Sequence, residues 1–232
     1  MLRFNDFEVL TFDCYGTLID WESGLADAFK PVFANHHVDI EIEEALELYG
    51  TAESEIERGV YRPYREVLKF ALAEIGTRLG FVPSLEEKER FASSVIDWPP
   101  FADSPRSLQM LKKKYKLAII SNIDDDLITH SVRRLGVTFD WIITAQQVKS
   151  YKPSHRNFEV AFERIGVPRK KILHVAQSVY HDIIPAKELG LAAIWVNRRH
   201  DKPGSGATPP ATALPDLQVN DLNSLVERIG IR

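Results

Sequence analysis

Four short polar segments stand where apolar runs stop, and their residue types could together perform covalent chemistry. The first is Phe12-Asp13-Cys14-Tyr15-Gly16-Thr17-Leu18, in which a carboxylate ends a buried run and a glycine turn follows whose backbone amides can face an anion. Asp13 is therefore a candidate nucleophile, the alternative being a carboxylate that caps a turn. The second segment, Ser121-Asn122, offers a hydroxyl and an amide that can hold an oxyanion or a carboxylate, or cap the next helix. The third, Tyr151-Lys152-Pro153, puts a cation just before a helix, where the dipole does not favour it, so a compensating anion is expected beside Lys152. The fourth is Gln177-Ser178-Val179-Tyr180-His181-Asp182, whose Asp182 can pair with Lys152 or cap the helix that begins there.

Those segments need a scaffold that brings strand ends together. Phe7–Phe12, Lys116–Ser121, Trp141–Ala145, Ile172–Ala176 and Ala192–Val196 are short, continuously apolar and bounded by turn formers, as parallel strands buried on both faces are. Ser104–Lys114, Asp124–Leu135, Ser154–Ile165 and Ile183–Leu189 carry apolar residues at three- and four-residue spacing, several with a capping residue before them and glycine after. The alternation predicts an α/β fold, a doubly wound, Rossmann-like parallel sheet whose ligand site lies beyond the carboxyl ends of its strands.

About a hundred residues separate the first two strands, too many for one crossover helix. Within them the sequence predicts helices around Gly24–Ala34, Glu41–Arg58, Pro63–Leu79 and Ser84–Asp97; Tyr64, Val67, Leu68, Ala71, Leu72 and Ile75 form one apolar stripe. The expected organisation is a core domain of residues 1–20 and 99–232 with an inserted helical cap domain of residues 21–98. Trp98-Pro99-Pro100-Phe101, stiffened by two prolines, reads as the strap or hinge between them. Lys202–Pro215, rich in Pro, Gly, Ala and Thr, reads as a loop before a last short strand and helix.

Composition narrows the function classes. With 29 Lys+Arg against 33 Asp+Glu, the net charge of −4 argues against a binder of nucleic-acid phosphates. No stretch has the length and apolarity of a membrane span, and the N-terminal segment lacks the order of a signal peptide, so a cytoplasmic location is expected. The one cysteine, Cys14, excludes an intramolecular disulfide and a cysteine-based zinc site. Assembly, a homodimer included, is left open.

Taken together and in this order, the four segments resemble the haloacid dehalogenase (HAD) superfamily over essentially the whole chain. The resemblance implies Asp13 as nucleophile, Ser121 as the small polar group of the second motif, Lys152 as the third-motif cation and Asp182 as the fourth-motif carboxylate, with Ser178 four residues before it in the catalytic set. Phe-Asp-x-Tyr-Gly-Thr-Leu, Ser-Asn and Tyr-Lys-Pro look most like the branch of the type II L-2-haloacid dehalogenases. Asp-Cys-Tyr-Gly-Thr-Leu-Ile-Asp-Trp-Glu and Ser-Asn-Ile-Asp also resemble the azetidine-2-carboxylate hydrolase of that branch. Both act on small carbon acids.

Two departures from the phosphatases of the superfamily bear on the reaction. A phosphatase needs a second carboxylate two residues after the nucleophile and a fourth-motif Gly-Asp to help hold Mg²⁺; this chain has Tyr15 and Ala176-Gln177. The expectation is a metal-free, cofactor-free displacement at carbon, in which Asp13 attacks, a halide or amine leaves, and water hydrolyses the ester. Asp124, Asp125 and Asp126 read as first-turn residues answering a helix dipole rather than as replacement ligands. A dehalogenase would also have an early cap arginine for the substrate carboxylate, whereas Leu46–Gly50 holds none; Arg62 or Arg65 is the expected substitute. Tyr15 and Trp21 are expected to wall the pocket, Cys14 to contribute its backbone amide, and Asn122 and His181 to contact the small carboxylic-acid substrate. A Mg²⁺-dependent phosphatase and a non-catalytic module that binds small acids are the competing readings.

Overall fold

The structure, a computed structural model, describes residues 2–231. The chain runs β1 (Val9–Phe12), α1 (Trp21–Asn35), α2 (Ile42–Glu57), α3 (Tyr64–Leu79), α4 (Leu85–Ser93), α5 (Ser104–Lys112), β2 (Lys116–Ser121), α6 (Asp125–Leu135), β3 (Trp141–Thr144), α7 (Ala145–Val148), α8 (His155–Ile165), β4 (Ile172–Ala176), α9 (Ile184–Glu188), β5 (Ala192–Val196), β6 (Leu217–Val219) and α10 (Leu222–Ile229). Six strands form one parallel sheet in the order β3-β2-β1-β4-β5-β6. This is the doubly wound α/β fold that the strand and helix periods predict. Every residue of β1 and β4 is buried, as an apolar run covered by helices on both faces requires.

The sheet order reverses beside β1: the chain goes to β2 and β3 on one side and returns to β4, β5 and β6 on the other. Phe12 is in register with Ile119 of β2 and Val175 of β4, so whatever follows Phe12 emerges between the ends of those two strands. That crevice is where an open α/β sheet places its ligand.

The segment between β1 and β2 holds α1 to α4, and its elements start where the sequence supplies caps. Asp20 accepts a hydrogen bond from the Ser23 N–H at 3.2 Å, which starts α1 at Trp21, three residues before the first periodic apolar position suggests. Ser84 and Glu87 form a reciprocal capping box at α4, and the helix tightens to a 3₁₀ turn over Ser94–Asp97. Phe29 packs on Phe33 and Phe91 with ring centroids 5.0 and 4.9 Å apart, joining α1 and α4 in one apolar interior. The outgoing and returning crossings lie against each other: the Asp20 N–H donates to Pro99 O at 2.8 Å and the Phe101 N–H to Leu18 O at 3.0 Å.

The stretch Lys202–Pro215 is irregular, as its composition implies, yet it is not free of the rest. Ala207 and Thr208 are buried, and Arg199 ties the start of this stretch to Glu22 of α1 and Glu43 of α2. Gly50 of α2 permits the approach, since a Cβ there would lie 2.6 Å from the Ala207 carbonyl oxygen. Among the described residues no helix is long and apolar enough to cross a membrane.

Alanine usually improves a helix interior over glycine by roughly 1 kcal/mol. Gly50→Ala is expected to do the opposite, lowering stability by about 1–3 kcal/mol in urea unfolding because the backbone at Ala207 must move.

Candidate active site

Asp13 continues the ladder beyond β1, its N–H donating to Val175 O at 3.2 Å, and its carboxyl group projects into the crevice. Thr17, one turn on, donates to Asp13 Oδ2 at 2.7 Å and accepts from the Gln177 N–H at 2.9 Å, which ties the first polar segment to the fourth.

Lys152 reaches the same point from the loop before α8. Its Nζ lies 2.9 Å from Asp13 Oδ1, 2.7 Å from Asp182 Oδ1 and 2.9 Å from Ile120 O. An ammonium has three N–H donors, and all three are used. Lys152 is 1% exposed, so its charge rests on these partners alone. Burial works against the ammonium, yet Asp13 and Asp182 together hold it above the ordinary lysine range. Asp182 is also buried and is kept below the ordinary aspartate range by Lys152 and His174 against the cost of desolvation. Asp13 goes the other way, raised mainly by burial, with Lys152 and Thr17 pulling against it. A raised carboxylate is the better nucleophile once ionised.

The other residues singled out in the sequence fall into three groups. Ser121, Ser178, Tyr15, Asn122 and His181 all line the cavity with Asp13, Lys152 and Asp182. Ser121 Oγ is buried without a hydrogen-bond partner. Ser178 Oγ accepts from the His181 N–H at 2.9 Å and lies 3.0 Å from His181 Nδ1. With that hydroxyl proton directed at Nδ1, the imidazole carries its own proton on Nε2, a buried atom with no partner. Burial lowers His181 to about 4, so the ring is neutral at neutral pH, and Nε2 donates in the tautomer in which Ser178 donates to Nδ1.

The second group is present but spent on structure. Asn122 accepts from the Lys152 N–H at 2.7 Å and donates to Lys152 O at 3.0 Å, clamping the backbone that carries the ammonium; its amide also donates to Glu57 Oε2 at 3.1 Å. Asn122, which also lines the cavity, thereby positions Lys152. The Cys14 side chain is buried in the apolar interior and does not line the cavity, and burial pushes its thiol up. The Tyr15 hydroxyl is 2.9 Å from Ser131 Oγ and its ring stands edge-on to Trp98 at 5.6 Å, so it serves as wall.

The third group is displaced. Neither Arg62 nor Arg65 lines the cavity. Asp124 accepts from the Tyr64 and Arg65 N–H groups at 2.9 and 3.0 Å and so fixes how α3 begins. That orientation sends the Arg65 guanidinium to Asp126 at 2.5 Å, while Arg62 is exposed and lies 5.0 Å over the Phe70 ring. The three aspartates act in helix-start and surface bonding, as their first-turn positions imply.

What the sequence did not disclose is the cap's contribution. Tyr49, Glu53 and Glu57 follow at four-residue spacing on α2, and both glutamates line the cavity. Tyr49 and Tyr64 each donate to Glu53 Oε1, at 2.8 and 2.6 Å. Burial raises Glu53 from 4.5 to about 7, and burial together with Glu53 raises Glu57 well above its ordinary value. His174, inside β4, joins Thr11 Oγ1 at 2.9 Å to Asp182 Oδ1 at 3.0 Å. A charged residue interrupting the α2 apolar stripe, and a histidine inside an apolar strand, were the available signals.

The model of the haloacid dehalogenase-like hydrolase family matches residues 7–190. The chain belongs to that family. It is similar to an (S)-2-haloacid dehalogenase of Pseudomonas sp. (strain YL), 28% identical over 225 residues that cover 94% of this chain and 92% of the relative. One from Pseudomonas fluorescens is 29% identical over 219 residues, covering 91% of each. In fold it is similar to the L-2-haloacid dehalogenase from Xanthobacter autotrophicus with chloropropionic acid covalently bound, at a TM-score of 0.80 and 24% identity over 96% of this chain and 98% of that one.

The donor set does not fit the Mg²⁺ of the family's phosphatases. The place between Asp13 and Asp182 is filled by the Lys152 ammonium, and the position two after Asp13 carries the Tyr15 phenol, engaged with Ser131. Among the described residues no group of three His, Cys, Asp or Glu side chains is placed to hold a metal ion.

Glu53 gives a pH test with a definite sign. A carboxyl whose folded pKa is raised contributes stability that is present below its unfolded pKa and lost as pH rises through the folded value. Relative to Glu53→Gln, the parent should therefore lose stability between about pH 4.5 and 7, read by urea unfolding at pH 4 and pH 8. Glu57, which Glu53 itself helps to raise, titrates lower in the variant and so adds to the difference with the same sign.

Proposed function

We propose that this hydrolase displaces a leaving group from C2 of a small 2-substituted carboxylic acid, with Asp13 forming a covalent aspartyl ester that water then hydrolyses. The supporting observation is the Lys152 ammonium held between Asp13 and Asp182. It supplies a positive charge that pulls against the burial of both carboxylates.

In the first step an Asp13 oxygen attacks C2 and the C2 substituent departs with the bonding pair. If Oδ2 attacks, Oδ1 becomes the ester carbonyl and remains under the Lys152 ammonium. In the second step water adds to that carbonyl, and the negative charge developing on Oδ1 meets a fixed cation, which needs no reorganisation. Asp182 Oδ2, buried and unpartnered at the cavity, is placed to orient the water. Ser121 Oγ and the His181 Nε2–H are free donors for the substrate carboxylate, in place of the expected arginine. Residues 21–98 act as the cap that closes the cavity over a core of residues 1–20 and 99–232.

The relatives support the substrate class by their activity: they are named as dehalogenases of 2-haloacids. Halide release from racemic 2-chloro- and 2-bromopropionate in excess EDTA is the test. The parent should release halide at a rate EDTA does not change, and Asp13→Asn should be slower by about a thousandfold or more. Loss of activity in EDTA, or retention in Asp13→Asn, would contradict the reading.

A further inference from the structure

β1 and β4 are buried along their whole length, yet each carries one polar side chain, Thr11 in the first and His174 in the second. The two are register partners across the sheet, both 0% exposed, and the Thr11 hydroxyl lies 2.9 Å from His174 Nδ1. An aliphatic pair would pack there with no polar atoms to satisfy, so the imidazole is explained by what it touches. The Phe158 ring of α8 stands edge-on to it at 5.2 Å. Its other nitrogen, Nε2, lies 3.0 Å from Asp182 Oδ1.

Asp182 is held below the ordinary aspartate range, so as a carboxylate it only accepts, and the His174 Nε2–H is the donor. Nδ1 is engaged with the Thr11 hydroxyl, so both ring nitrogens are spent. Asp182 Oδ1 thereby receives two hydrogen bonds, from His174 Nε2 at 3.0 Å and from Lys152 Nζ at 2.7 Å. Oδ2 receives none, is buried, and belongs to a side chain that lines the cavity with Asp13. One donor would leave the carboxylate free to pivot about that single bond. Two donors from different elements, the strand β4 and the loop before α8, fix its plane and with it the direction of Oδ2.

We propose that His174 is a positioning residue for the hydrolytic half of the reaction: acting through Asp182, it aims Oδ2 at the water that attacks the Asp13 ester, and it has no part in forming that ester. This deepens the reading given under Proposed function and rests on it for the covalent ester. In the hydrolytic half, water adds its oxygen to Asp13 Cγ as one of its protons passes to Asp182 Oδ2. The bond from Cγ to the oxygen carried by C2 then breaks, and that oxygen keeps the electron pair and takes the proton back from Oδ2. The second water proton leaves to solvent as the Asp13 carboxylate forms again. Ester formation instead needs Asp13 with its own partners, Lys152 and Thr17, neither of which is bonded to His174 among the described residues.

Three variants separate the two halves. His174→Phe fills the space of the ring without a donor, His174→Asn keeps an amide that is too short to reach Asp182, and His174→Gln extends an amide N–H toward Asp182 Oδ1. Each is mixed with excess 2-bromopropionate and followed by rapid-quench halide release, steady-state kinetics and intact mass. In the Phe and Asn variants kcat should fall by about tenfold to a hundredfold, the loss expected when an attacking water is misaimed. KM should fall with it and leave kcat/KM within about threefold of the parent, because the ester accumulates. Halide should appear in a burst of about one equivalent per protein, and the intact mass should show the 1-carboxyethyl adduct. The Gln variant should hydrolyse its ester about tenfold faster than the Phe variant, since the donor and not the shape of the side chain is what matters. Should the Phe variant fail to fold, the Asn variant gives the same reading. A kcat/KM that falls as far as kcat, turnover lost without an adduct, or ester hydrolysis no faster in the Gln variant than in the Phe or Asn variant would overturn the proposal. Asp13-dependent turnover with an unchanged kcat in the Phe and Asn variants overturns this inference alone. A parent with no Asp13-dependent halide release overturns the reading under Proposed function and this inference with it.

Discussion

The Lys152 ammonium, buried with three acceptors around it, is the constraint on which the rest of the site depends. Taking an ammonium and two carboxylates out of water costs several kcal/mol for each charge, and only close, complete pairing offsets it. The pairing is complete here because three different strands end at one place: β1 delivers Asp13, β2 delivers the Ile120 carbonyl, and β4 leads to Asp182. Around this centre each neighbour has a fixing part. Asn122 clamps the Lys152 backbone, Thr17 fastens Asp13 to the Gln177 amide, and His174 steadies Asp182 from within the sheet. The same cation fills the place between the two carboxylates.

The helices inserted after β1 complete the site instead of merely covering it. They are fixed to the core on two sides, through Asp124 at the start of α3 and through Arg199 with Glu22 and Glu43. Those attachments fix the α2 face that carries Glu53 and Glu57 over Asp13. The core thus presents a buried carboxylate, a saturated cation and neutral polar groups, while the cap presents acids.

The fold and the convergence of the candidate site residues were legible in the sequence for one physical reason: parallel strands buried on both faces are continuous apolar runs, and polar residues at their ends converge. Asp13, Ser121 and Asp182 stand out by that rule, and Lys152 by its unfavourable place at a helix start. Arg62 and Arg65 could not be placed in the same way. An arginine on an amphipathic helix looks alike in sequence whether it faces a cleft or a neighbour, and the backbone bonds of Asp124 that turn it away join residues about sixty positions apart. Glu53 and Glu57 were hidden among the many acids of α2, although Glu53 sits four residues after buried Tyr49 on the apolar side. The docking of the Lys202–Pro215 stretch rests on the absence of a side chain at Gly50 and on single bonds to Glu22, which leave no periodic trace.

The central claim is that Asp13, held by Lys152, becomes covalently attached to substrate and is freed by water. The direct measurement is isotope transfer with 2-chloropropionate in H₂¹⁸O, followed by mass analysis of the peptide containing Asp13. Under multiple turnovers the Asp13 carboxyl should gain ¹⁸O, and under a single turnover the product hydroxyl should carry ordinary oxygen taken from the protein. Product labelled in a single turnover, with Asp13 unlabelled after many, would mean that water attacks the substrate directly and would contradict the account.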